Sequence, residues 1–162
     1  MNKTKYKFYY IEDLEIGQKI KFSRVVKKTD IESFARTTGD TNPIHLDKDY
    51  AQKTIFKKNI AHGFLTASYI SAAIGTQLPG PGCIYLKQTL KFTAPVYPND
   101  TVDVIIEVKS IDLKTKRVVL NTTCFCSEKK VIDGYAEILV MSKSNTNAVS
   151  YTHLTLPTTT SV

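Results

Sequence analysis

Between Gly63 and Leu78 the chain reads Gly-Phe-Leu-Thr-Ala-Ser-Tyr-Ile-Ser-Ala-Ala-Ile-Gly-Thr-Gln-Leu, without one charged residue. A helix that is apolar nearly all round has to be buried. Its small side chains (Ala67, Ser68, Ser71, Ala72, Ala73, Gly75) let other backbone come close. Pro79-Gly80-Pro81-Gly82 ends the stretch, and no Gly-Lys-Ser/Thr comes after it to make a phosphate loop. The rest of the chain must therefore wrap a central helix. That requirement narrows the choice of folds more than any other feature.

Beyond the helix the chain reads as strand. Ile84 to Thr93 alternates apolar and polar residues, and Pro95 to Asp100 turns the chain. Val102, Val104, Ile106 and Val108 form the next apolar face, with Asp103 and Glu107 opposite. Arg117–Ser127 and Val131–Met141 complete an antiparallel series. Ahead of the helix, Lys19 to Val26 is a strand. Thr29 and Glu32 have the spacing of a capping box for a helix over Ile31, Phe34 and Ala35 that stops near Thr38-Gly39. Asn42-Pro43 predicts a turn or extended segment, and Asp47 caps a short helix through Tyr50 and Lys53. One buried helix and a long meander imply an α+β architecture, a curved sheet around the helix.

With 162 residues, 42% hydrophobic and 23% charged, the chain has the size and composition of one soluble domain. No apolar run approaches the ~20 residues of a membrane span, and no apolar signal core comes after the basic start Met1–Lys7. Neither membrane nor export is expected. Three cysteines without framework spacing fit a reducing compartment, the cytoplasm. Cys124 and Cys126 share a strand face, but no second pair supplies the other ligands of a structural zinc site. Residues 1–144 are read as one domain and 145–162 as a disordered or artefactual tail. Within that tail, Val149–Pro157 resembles a translated sequencing-adaptor read-through, so His153 is set aside. The 22 basic residues outnumber the 15 acidic ones, for a net charge of +7. They are scattered in pairs with no nucleic-acid-binding pattern beside them, so nucleic acid is disfavoured, and the charge points to an anionic partner without saying which anion.

The chemistry concentrates in Phe34 to Ala51. Asp40 and His45 flank Asn42-Pro43 just after a helix end, and together they could hold a water between a carboxylate and an imidazole. Equally, Asp40 could cap a turn and His45 could be an ordinary loop histidine. Gly63, in the first turn of the central helix, could offer an unpaired amide to a thioester carbonyl, or could be needed only for packing. His62 reads as a hydrogen-bonded structural histidine.

Taken together, Thr38-Gly39-Asp40-Thr41-Asn42-Pro43-Ile44-His45, Ala61-His62-Gly63 and Leu78–Leu86 with Phe92–Val96 resemble the MaoC-like, (R)-specific enoyl-CoA hydratases. The likeness runs from about Tyr10 to Val140. It implies a hot-dog fold, an antiparallel sheet wrapped around a long central helix and normally paired with a second copy. It also implies that Asp40 and His45 activate water, that the Gly63 amide forms the oxyanion hole, and that Gly39, Asn42 and Pro43 shape the loop. The implied reaction is hydration of a trans-2-enoyl thioester of CoA or acyl-carrier protein to the (R)-3-hydroxyacyl product, with no metal or redox cofactor. Thr37 departs from the family, where an aliphatic residue is commoner. Two alternatives stand beside this reading. One is a hot-dog thioesterase, although the central helix lacks the expected carboxylate. The other is a non-catalytic, acyl-thioester-binding partner subunit.

Overall fold

A computed structural model of the protein describes residues 6–145. The tail expected over 145–162, with its read-through-like segment and His153, lies outside the described residues apart from Asn145.

Period-2 patterning dictates the sheet. Strand β3 (Thr101–Asp112) turns Val102, Val104, Ile106 and Val108 inward, all buried, while the intervening residues face outward. Strand β4 (Arg117–Cys126) repeats the device with Val118, Leu120, Thr122 and Cys124. With β1 (Lys19–Val25), β2 (Ile84–Phe92) and β5 (Lys129–Leu139) they form one antiparallel sheet in the order β1-β3-β4-β5-β2. The simple meander expected from the sequence is therefore incomplete. Strands β3, β4 and β5 are consecutive neighbours, but β2 pairs across the sheet with β5 and becomes an edge. Local patterning specifies a strand's faces and carries no information about its partner.

On the outer face, charge pairs cross from β1 to β3, one directly opposite (Lys19 and Glu107) and one diagonal (Lys21 and Asp103). Lys21 lies 2.8 Å from Asp103 and Lys19 lies 3.3 Å from Glu107, each across the β1–β3 pairing. Such exposed pairs contribute about 0–1 kcal/mol and chiefly keep this face polar.

The central helix α4 (Gly63–Thr76) lies against the inner face. Leu65, Tyr69, Ile70, Ala73 and Ile74 join the strand residues in one core, which fits an uncharged helix with one side on a sheet. The expectation of burial all round needs correcting. Phe64, Ser68 and Ser71 are exposed, so a second side of α4 is uncovered in the single chain. The helix also ends at Thr76, short of Leu78.

Ahead of α4, the chain folds into α1 (Lys28–Thr38), α2 (Pro43–Leu46) and α3 (Lys48–Gln52). The cap of α1 sits earlier than the Thr29/Glu32 box predicts. The Asp30 carboxylate accepts the amide of Lys27 at 3.1 Å, which moves the start back and puts Thr29 inside the first turn. One long helix held against the inner face of an antiparallel sheet is the hot-dog arrangement.

Candidate active site

Three local devices aim the segment from Thr38 to Asp47. Gly39 caps α1 at φ +79°, a left-handed conformation that glycine adopts without steric cost, and its amide donates to the Ala35 carbonyl. Asp40 Oδ1 then accepts the Asn42 amide at 3.3 Å, and Asn42 Oδ1 accepts the Ile44 amide at 3.2 Å. Asp40 thus does cap a turn, through one carboxylate oxygen. The turn or extended segment expected at Asn42-Pro43 is in fact a helix start. Asn42 is a non-helical N-cap at φ −51° and ψ 123°, as the proline after it requires, and Pro43 opens α2, where a missing N–H costs nothing. His45 accordingly sits on a short helix, with an orientation more fixed than a loop would give. As expected, Asp47 caps α3, by accepting the Tyr50 amide at 3.0 Å.

The chain returns to this segment at 59–62. Asn59 donates its side-chain N–H groups to the carbonyls of Ile44 (3.1 Å) and Asp47 (3.0 Å), clamping the end of α2. His45 Nδ1 lies 2.8 Å from the Ile60 carbonyl. A carbonyl can only accept, so Nδ1 carries the proton and Nε2 is left with its lone pair. His45 titrates below the ordinary 6.5. Burial is the main cause and the facing His62 adds to it, against the opposing pull of the Ile60 carbonyl and of Asp40. The ring is therefore a neutral base at neutral pH. The sequence offers little sign of Asn59 or Ile60 as contributors, because their role depends on the chain returning across a gap of 12 to 15 positions.

His62 is buried at 2% exposure and, as expected, hydrogen-bonded. Its partner is the surprise. His62 Nε2 lies 3.0 Å from the backbone carbonyl of Asp40, and its ring stacks on that of His45 at 3.8 Å between centroids and 29° between planes.

Gly63 comes next as the first residue of α4, where no carbonyl of its own helix can accept its amide. It also packs tightly, since a Cβ there would lie 2.8 Å from the Phe92 ring. Both readings of this glycine, amide donor and packing site, are therefore compatible. His45 and Gly63 line one cavity of about 510 Å³, otherwise walled mostly by apolar groups including Phe56, Phe64, Phe92 and Ile132.

The residues predicted from the sequence thus converge. Asp40, His45 and His62 each bring a carboxylate oxygen or ring nitrogen within 4.8 Å of the others. Distance alone would suit a metal ion, but the orientations do not. The rings of His45 and His62 are stacked, with 29° between their planes, so their in-plane lone pairs run side by side and do not converge on one point. The cysteines stand apart as free thiols, with burial pushing Cys124 up to about 12 and Cys126 up to about 11. Such thiols are neither nucleophiles nor ready ligands near neutral pH. Among the described residues no helix is long and apolar enough to cross a membrane.

Comparison with known proteins places this geometry in context. The model of the MaoC like domain matches residues 13–130. An (R)-specific enoyl-CoA hydratase of Rhodospirillum rubrum is 45% identical over 135 residues, covering 83% of this chain and 94% of that protein. A 3-hydroxybutyryl-CoA dehydratase of Methylorubrum extorquens is 42% identical, covering 87% and 90%. Among solved structures, the unliganded R-hydratase PhaJ1 from Pseudomonas aeruginosa superposes with a TM-score of 0.79 at 46% identity, covering 83% of this chain and 86% of that one.

Proposed function

The chain belongs to the MaoC-like domain family, and on that premise we propose that it adds water to trans-2-enoyl-CoA, forming (R)-3-hydroxyacyl-CoA, and catalyses the reverse dehydration. One observation carries the reading. His45 keeps a bare Nε2, and a nitrogen of its ring lies within 4.8 Å of an Asp40 carboxylate oxygen, at the edge of an apolar cavity that the start of α4 also lines.

In the proposed chemistry Asp40 and His45 hold a water. As its oxygen bonds to C3, the pair takes one of its protons, and the C2–C3 π electrons move toward the thioester carbonyl. The negative charge on that oxygen is met by the Gly63 N–H, backed by the helix dipole. The pair then returns a proton to C2, so one water is added in all and no electrons are gained or lost. The acyl chain occupies the apolar cavity. Gly39, Asn42 and Pro43 serve by fixing the approach of Asp40 to His45.

The phosphopantetheine arm is common to CoA and acyl-carrier protein, so a carrier-bound substrate fits the same reading. The net charge of +7 favours either, through the phosphates of CoA or the acidic surface of a carrier. The free thiols suit the cytoplasm. The proposed protein partner is a second copy of the chain. Edge strand β2 exposes Ile84, Leu86 and Phe92, and α4 exposes Phe64 at 66%, an apolar margin of the kind a homodimer covers.

The test is to incubate the purified protein with crotonyl-CoA and resolve the product. Formation of (R)-3-hydroxybutyryl-CoA supports the reading. Release of free CoA would make it a thioesterase, and binding without turnover a non-catalytic subunit.

A further inference from the structure

Burial alone would make His62 a packing residue, yet the contacts of its ring are unusually specific. One nitrogen is committed to the backbone of Asp40, and one face is stacked on His45. The ring also touches Phe34 of α1, at 4.9 Å between centroids. His62 therefore joins three separate pieces of chain: the body of α1, the loop carrying Asp40, and α2 carrying His45.

We propose that His62 is a positioning residue for the acid–base pair, its Nε2–H fixing the Asp40 loop and its ring fixing the plane of the His45 imidazole. The inference rests on the hydratase reading above, in which Asp40 and His45 share a water.

The tautomer is set by the geometry. Nε2 faces a carbonyl oxygen and must carry the proton, so Nδ1 is the bare nitrogen; it is buried with no hydrogen-bond partner among the described residues. A carbon skeleton of the same size would pack as well without leaving a buried polar atom unpaired, which costs about 1–3 kcal/mol. Retaining a histidine here at that cost is accounted for by the bond to Asp40.

The stacked ring also shields one face of His45 from water. The groups whose charge reaches His45 are Asp40, on the loop between α1 and α2, and His62, at the N-cap of α4. Burial and His62 lower the pKa of His45 together, and Asp40 opposes them.

Two variants separate the two contacts. His62→Phe keeps the stacked ring and removes the donor, whereas His62→Gln keeps a side-chain N–H and removes the ring. With enoyl-CoA as substrate, each is expected to lose about 10- to 100-fold in kcat at nearly constant KM, the scale of a misaligned catalytic group. Both variants remove the charge of His62 and should raise the pH at which kcat/KM falls on the acid side, His62→Gln by more, because only it also uncovers His45. Wild-type kcat and an unmoved acid limb in both folded variants would overturn the proposal.

Imidazole nitrogen NMR on the wild-type protein decides the matter even if neither variant folds. It should find His62 as the Nε2–H tautomer, and the Nδ1–H tautomer would overturn the proposal. These spectra do not depend on turnover. An inactive wild-type protein showing the expected tautomer would contradict the hydratase reading and leave the His62 geometry standing.

Discussion

Along β3, every second side chain from Val102 to Val108 is shut away from water; between Gly39 and Ile60, only Ala51 is buried. The sheet and the site segment thus keep their shapes by different means. The sheet relies on many interchangeable apolar contacts, each individually weak. The site segment relies on a few directed bonds, from Asn42 and Asn59 side chains to backbone, from a left-handed glycine, and between two histidines and the carbonyls of Ile60 and Asp40. The two regions should therefore fail separately. Damage to the sheet should unfold the protein, and damage to the segment should silence a folded one.

Asp40→Asn gives the largest expected effect. General acid–base catalysis contributes about 10²–10⁴-fold, and kcat for enoyl-CoA hydration should fall by that order with the thermal midpoint nearly unchanged. A comparable loss of stability would erase the contrast. On the sheet side, Ile106→Ala removes a fully buried side chain and should cost about 2–5 kcal/mol in denaturant unfolding. Its kcat per folded molecule should stay near wild type.

Asn59→Ala lies between the regions. It removes both donors to the end of α2, for about 1–2 kcal/mol. By tilting His45, it should lower kcat by about 10-fold as well.

The smallest effect concerns pH. A base with a lowered pKa stays unprotonated further into acid, so the acid limb of kcat/KM should fall below 6.5, the ordinary histidine value. A limb above 6.5 would mean that His45 is not held as described. Stability shares the sign. The folded state resists protonation at His45, so this contribution is present above 6.5 and is lost as pH falls through the lowered value.

Legibility in the sequence divides along the same line. The alternation in β3 and β4, the uncharged run of α4, the glycine ending α1 and the Asp47 cap are local patterns, and each can be read from its own neighbourhood. Asp40 and His45 stand out through the short motif that carries the family resemblance, Thr38 to His45. The edge position of β2, the clamp by Asn59 and the stack of His62 on His45 depend on which distant segments meet, and no window of neighbouring residues carries that information. Pro43 is open to two readings. A proline disfavours helix before it and can begin one, and here Asn42 decides the matter by capping.

The role of His45 as the base is tested most simply by the initial rate of crotonyl-CoA hydration in wild type and His45→Ala, on samples matched for helix and sheet content by circular dichroism. Brisk formation of the (R) product by wild type is expected, with a loss of about 10²–10⁴-fold in the variant. Equal rates in the two folded proteins would contradict that role.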